Sequence, residues 1–257
     1  MRWIRAVSLA FSTYTRIPMP QVRWDDESMN LAIVFLPLVG VAIGCVVWLW
    51  QILCHFWGLG PVLFAAITVV IPIFVTGGIH MDGYCDTSDA FASWKDKEHG
   101  LEILKDPHVG AFALIRYGVY MLISFAFLYE IYTRGYGNGI GGLYVVSRCF
   151  AAWSAMTMPN ARKSGMLAAV TPKIDRRAAV VVLLLLTAAG LAGFSWLSYP
   201  YGLIGILLCL PVTFWYGRVA KKRFGGVTGD TTGYYLQLVE LTLIVGLLLG
   251  GLISEWL

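Results

Sequence analysis

Apolar residues in this chain fall into long blocks separated by short polar stretches. A helix needs about 20 residues to cross a hydrocarbon core of ~30 Å. Blocks of that order run over roughly 31–54, 61–79, 111–132, 141–158, 178–198, 202–217 and 235–254. The pattern predicts about seven transmembrane helices, the fourth and sixth being short. Backbone amides in a bilayer must find partners within their own segment, so helices are the form these blocks take. The links at 55–60 and 199–201 predict tight hairpins. Ahead of the first block, Trp3, Val7, Ala10, Phe11 and Tyr14 recur at helical spacing, with Arg2, Arg5 and Ser12 off that stripe. An interfacial helix over about 1–17 is expected, lying on the membrane rather than through it. Pro18 and Pro20 end it. Its apolar core is too short, and too poor in small residues behind it, for a cleaved signal peptide.

Composition agrees with this pattern. Of 257 residues, 58% are hydrophobic and 13% charged, where a soluble domain carries about 25% charge. The expected fold is all-α: a polytopic helical membrane protein of one domain, residues 1–257, because no long polar linker divides the blocks. Sixteen of the nineteen Lys and Arg residues lie in four segments: the N-terminal arm, 80–110, 159–177 and 218–234. Seven spans put all four on one face, which the positive-inside rule makes cytoplasmic. The expected location is the cell inner membrane, with the polar loops in the cytoplasm and the C-terminus on the far side. The net charge of +4 thus reads as topology and gives no reason to expect nucleic acid. The five cysteines are scattered and form no CxxC pair, which argues against a zinc site or a disulfide framework.

The polar segment from Gly77 to Gly110 carries the strongest chemical signal. Asp82, Asp86 and Asp89 stand at i, i+4 and i+7. On a helix these lie within about 60° of one face. Three like charges there repel, and a divalent cation removes that objection, since Mg²⁺ takes oxygen ligands shared between carboxylates and substrate phosphates. The bland alternative is a solvated acidic loop. Asp106 follows after Gly100. Two further polar segments share the same face: Arg162-Lys163-Ser164-Gly165, and the glycine-rich run from Gly225 to Gly233 that contains Thr228, Gly229 and Asp230. Such a run can approach phosphate closely or form an anion nest. It lacks the GK[ST] of a P-loop, and a plain inter-helix loop explains it as well. Arg116 and Arg148 fall inside apolar blocks, where a guanidinium needs a partner or a polar cavity. Snorkelling competes for Arg116, and pairing with Glu240 competes for Arg148. Several carboxylates, several cations and glycine-rich backbone on one face point to phosphoryl-group chemistry.

These residues resemble a known family. Gly77-Gly78-Ile79-His80-Met81-Asp82-Gly83-Tyr84-Cys85-Asp86-Thr87-Ser88-Asp89 is similar to the GG-H-DG-xx-DT-xD signature of the cobalamin synthase family, the adenosylcobinamide-GDP ribazoletransferases. Glu102 to Phe112 resembles its E-I-[ML]-K-D-x-x-x-G-x-[FY] block, Phe11 to Pro18 its opening, and Phe35 to Gly40 a block in its first span. Arg162 to Gly165 and Gly226 to Asp230 resemble its later A-R-x-x-G and G-x-T-G-D blocks. The resemblance covers nearly the whole chain in order. Tyr84-Cys85 and Ser88 depart from the commoner Leu-Ala and Ala, and no carboxylate is lost.

The resemblance implies a membrane enzyme that joins adenosylcobinamide-GDP to α-ribazole or α-ribazole 5′-phosphate and releases GMP, with Mg²⁺ as cofactor. Other nucleotide-loop enzymes are candidate partners. It implies Asp82, Asp86, Asp89 and Asp106 as catalytic residues, with Asp230 beside them as metal ligands. Lys105, Arg116, Arg148, Arg162, Thr228 and Gly229 are the expected substrate contacts. Two alternatives stand beside this reading. A CDP-alcohol phosphotransferase does similar chemistry, but its D-x-x-D-G-x-x-A-R pattern is absent. A cation transporter would want its acids near mid-membrane rather than gathered at one face.

Overall fold

The structure, a computed structural model, describes residues 2–20, 31–92, 96–162 and 176–256. Lys163, Ser164 and Gly165 of the second basic segment lie outside the described residues. Ten α-helices are found among the described residues: α1 (Arg2–Tyr14), α2 (Leu36–Trp57), α3 (Pro61–Thr76), α4 (Ile79–Ala92), α5 (Lys97–Ile103), α6 (Ala111–Thr133), α7 (Ile140–Thr157), α8 (Arg176–Leu197), α9 (Gly202–Phe224) and α10 (Gly229–Trp256). The all-α polytopic architecture read from the sequence is the one observed. Each of the seven predicted blocks coincides with a helix. Five stretches are long and apolar enough to cross a membrane by themselves, and α3 with α4 adds a sixth as one bent pair. The predicted block that does not qualify became α7, which holds Arg148 near its middle.

α2, α7 and α10 form the centre, with α4 lying against α10. Close approach rather than hydrophobic pressure binds helices in lipid, so small residues mark their crossings. A Cβ on Gly44 of α2 would stand 2.5 Å from the Gly141 carbonyl oxygen of α7. Gly246 of α10 meets the Gly205 backbone of α9 more closely still. α6, α8 and α9 show mostly apolar outer faces, including Leu122, Leu185 and Leu207. α1 tucks Ala6, Leu9 and Ala10 into the core, and its far end is tied down by Arg16 N–H donating to the Val75 carbonyl at 2.8 Å.

The element that positions the polar chemistry is the α3–α4 corner. The two helices meet at 96°. Gly77 and Gly78 turn it with φ of 67° and 85°, a region that L side chains enter only at a steric cost. The turn lays α4 across the start of α10.

Candidate active site

α4 packs against α10. Gly83 lets the two backbones touch: a Cβ there would stand 2.7 Å from the Asp230 carbonyl oxygen. This contact brings Asp230 into the electrostatic neighbourhood of Asp82 and Asp86. Burial, then repulsion from Asp82, Asp230 and Asp89, pushes the Asp86 carboxyl up to about 7, with Arg162 alone pulling the other way. Burial likewise raises Asp230, against the favourable pull of Arg162. The Arg162 guanidinium lies 3.5 Å from Asp230 and donates to the Leu101 carbonyl at 3.3 Å. The carboxylates therefore outnumber the cation facing them.

Two loops hold Arg162 and Asp230 together. After α7, Pro159 accepts from Val227 N–H at 2.8 Å, and Ala161 N–H donates to the Val227 carbonyl at 2.9 Å. This parallel bridge between Asn160 and Val227 staples the end of α7 to the start of α10. Gly226 sits against the Pro159 carbonyl so tightly that no side chain fits. The sequence reading missed this pairing, because a two-residue bridge leaves no periodicity. The only signal for it was glycine where the two backbones meet.

Several expected residues have other tasks. Asp89 is spent on α6: its oxygens accept from Gly110 N–H at 2.6 Å and Ala113 N–H at 2.8 Å, capping that helix from outside. Asp106 is exposed, held by the backbone and ring of His108, contacts that pull its carboxyl below the usual range. It does not figure among the charges acting on Asp86. Thr228 is nearly buried and caps α10, accepting from Thr231 N–H at 3.1 Å while Thr231 Oγ1 accepts from Thr228 N–H at 2.8 Å. That reciprocal pair is a capping box built with threonine. Gly229 beside it faces open space. Lys105 is exposed. Arg116 reaches back to the Ser88 carbonyl at 3.2 Å. Arg148 is buried completely and paired with Glu240, Ser147 and the Tyr144 carbonyl. Its observed partners are the protein's own groups. His80 is also buried, stacked on Tyr14. Burial and the neighbouring acids raise the Cys85 thiol to about 11, leaving it a packing residue.

Comparison with known proteins settles the kinship. A family model described as cobalamin-5-phosphate synthase matches residues 6–248. The chain belongs to this family. Among curated relatives, an adenosylcobinamide-GDP ribazoletransferase of Lachnoclostridium phytofermentans is 40% identical over 94% of this chain and 92% of its own. The Pseudomonas entomophila protein of the same name is 34% identical over 95% and 97%, and that of Clostridium perfringens 31% over 97% and 98%. No solved structure matches.

Among the described residues no group of three or more acid, histidine or cysteine side chains stands together so as to hold a metal ion by itself. Mg²⁺ seldom asks for one: it keeps waters, takes one or two carboxylates, and shares the rest of its shell with substrate phosphates. Asp82, Asp86 and Asp230 supply all-oxygen donors with uncompensated negative charge, and Asp82 also lines a cleft of about 660 Å³ with Met81, Cys85, Leu114 and Tyr117. These are donors of the type Mg²⁺ takes, and one or two of them with substrate oxygens would make such a shell.

Proposed function

We propose that the protein is an adenosylcobinamide-GDP ribazoletransferase acting at the cytoplasmic face of the inner membrane. It joins adenosylcobinamide-GDP to α-ribazole or its 5′-phosphate and releases GMP. A ribose hydroxyl attacks the phosphorus on the cobinamide side, the bond from that phosphorus to the oxygen of GMP breaks, and the hydroxyl proton is released. The observation that carries this reading is the gathering of Asp82, Asp86 and Asp230 beside Arg162 in a chain matched to the family almost end to end.

Asp82, Asp86 and Asp230 would hold Mg²⁺, which when bound neutralises charge on the diphosphate. Arg162, held by Asp230 and the Leu101 carbonyl, would meet phosphate charge. The N–H groups of Gly229 and Asp230 open α10, and a helix start favours anions. Asp89 acts indirectly, locking α6 to α4 so that the carboxylates keep their direction.

The test is turnover by purified protein in lipid, with and without Mg²⁺, offering α-ribazole against a CDP-alcohol pair as the competing chemistry. Cobalamin product and GMP are expected, lost on chelation. Asp82→Asn and Asp86→Asn should stay folded while activity drops about 100-fold or more, the scale of losing a transition-state charge contact. CDP-alcohol turnover alone, or unchanged activity of both variants at low Mg²⁺, would overturn the reading.

A further inference from the structure

A second polar site lies on the other side of α4. Phe91, Asp96, Lys97, Arg116, Trp215, Val219, Lys222, Arg223 and Tyr234 line a groove of about 760 Å³. Phe91 stands about 180° round α4 from Asp82 and about 140° from Asp86, so the helix separates this groove from the carboxylates. Its charge is opposite to theirs. Four cations face one acid, and the Asp96 carboxylate is already occupied, accepting from His99 N–H at 2.9 Å. Phe91 and Tyr234 form an aromatic wall, with ring centroids 5.2 Å apart.

The register of α9 says what kind of anion this groove suits. Trp215, Val219 and Lys222 stand on one stripe of that helix, with Arg223 beside it. The same stripe runs back toward mid-helix as Ile204, Leu208 and Pro211, which are half-buried or exposed. It therefore passes from apolar side chains, through a tryptophan 46% exposed, to cations within about two turns. That is the order met on crossing from acyl chains to headgroups. A soluble anion would use the cations and leave the apolar track idle, whereas a phospholipid uses both.

We propose that this groove binds the phosphate of an anionic membrane lipid, with an acyl chain along the α9 stripe. The ligand chemistry is a phosphate ester, and its other possible source is a soluble nucleotide.

The experiment reconstitutes the full chain in nanodiscs of phosphatidylcholine containing phosphatidylglycerol, releases it into mild detergent, and counts retained lipids by native mass spectrometry. Wild type should keep phosphatidylglycerol over phosphatidylcholine by about tenfold or more. The double variant Lys97→Gln with Lys222→Gln, both exposed positions, should lose most of that preference and still turn over the proposed substrates. A control pair of equal charge loss, Arg176→Gln with Lys221→Gln, should keep it. A parallel arm measures GMP binding, expected to be unchanged in the Lys97/Lys222 variant. Three results would each overturn the proposal: equal retention of both lipids by wild type, equal loss in the control pair (diffuse surface charge only), or loss of GMP binding in the Lys97/Lys222 variant, which would give the groove to a nucleotide. None depends on the ribazoletransferase reading, since lipid retention is counted without turnover.

Discussion

Arg148 and Glu240 offer the sharpest test of how the bundle is held. Their side chains are 0% and 2% exposed, and the pair joins α7 to α10 at the centre of the molecule. Arg148 also donates to Ser147 and to the Tyr144 carbonyl, and its guanidinium lies 5.6 Å from the Tyr144 ring. Removing one partner leaves the other as an uncompensated buried charge, which costs about 3–5 kcal/mol. At about 1.4 kcal/mol per tenfold, the folded population should fall by roughly two to three and a half powers of ten. Arg148→Met and Glu240→Leu should each show that loss. The double variant should recover much of it, since an apolar pair of similar volume restores packing without charge. The assay is unfolding in mixed micelles by increasing SDS, with kinetics on the same preparations. Surviving enzyme should keep the wild-type KM. A several-fold rise in KM for the cobinamide substrate in Arg148→Lys, at wild-type stability, would refute the structural assignment and return Arg148 to the substrate.

Other consequences follow from the same geometry. Gly226→Ala should leave the spans intact but cut activity by about tenfold or more, because the new Cβ meets the Pro159 carbonyl and must part the loops holding Arg162 and Asp230; kinetics beside limited proteolysis checks both halves. Asp89→Ala should destabilise the start of α6 by about 1–2 kcal/mol, the scale of a lost cap, read as faster amide exchange at Gly110 and Ala113. With Asp86 raised to about 7, protons compete for a carboxylate that must be ionised to bind metal, so half-saturating Mg²⁺ should rise as pH falls from 8 to 6. In metal-free protein the sign reverses for stability: native Asp86 holds its proton more tightly than the unfolded chain, so its contribution is full below the ordinary carboxylate range and is lost as pH rises through about 7. Thermal scans with chelator against pH would show it.

The spans were legible because lipid leaves a chain few choices. Seven apolar blocks became seven helices, with ends displaced by a few residues. The largest displacement is at the sixth, which runs on to Phe224 through Lys221, Lys222 and Arg223. Polarity marked the edge of the membrane there rather than the end of the helix. That Asp82 and Asp86 share one helix face was legible from spacing alone, because α4 is a helix. Asp89 sits on the same face and could not be told apart by spacing: its role depends on Gly110, twenty-one residues away, arriving as a helix start. Thr228 poses a related difficulty. A threonine beside glycines reads equally as phosphate contact or helix cap, and the Thr231 reciprocity shows that the side chain caps α10.

The corner at Gly77 and Gly78 sets where the carboxylates of α4 lie. Had α3 continued straight, a rise of about 1.5 Å per residue would carry Asp86, nine residues past Gly77, about 13 Å further along the axis of α3 and away from α10. The positive φ values fold α4 sideways instead, and Gly83 lets it press on the Asp230 backbone. Burial at that crossing raises the Asp86 carboxyl, and so does the proximity of Asp82 and Asp230. The electrostatic demand for a cation is thus a product of helix packing. Among the described residues, Arg162 is the one cation pulling against it at Asp86. The apolar spans supply a rigid frame; the turn, the close approach and the stapled loops convert that frame into a concentrated negative site at one end of the bundle.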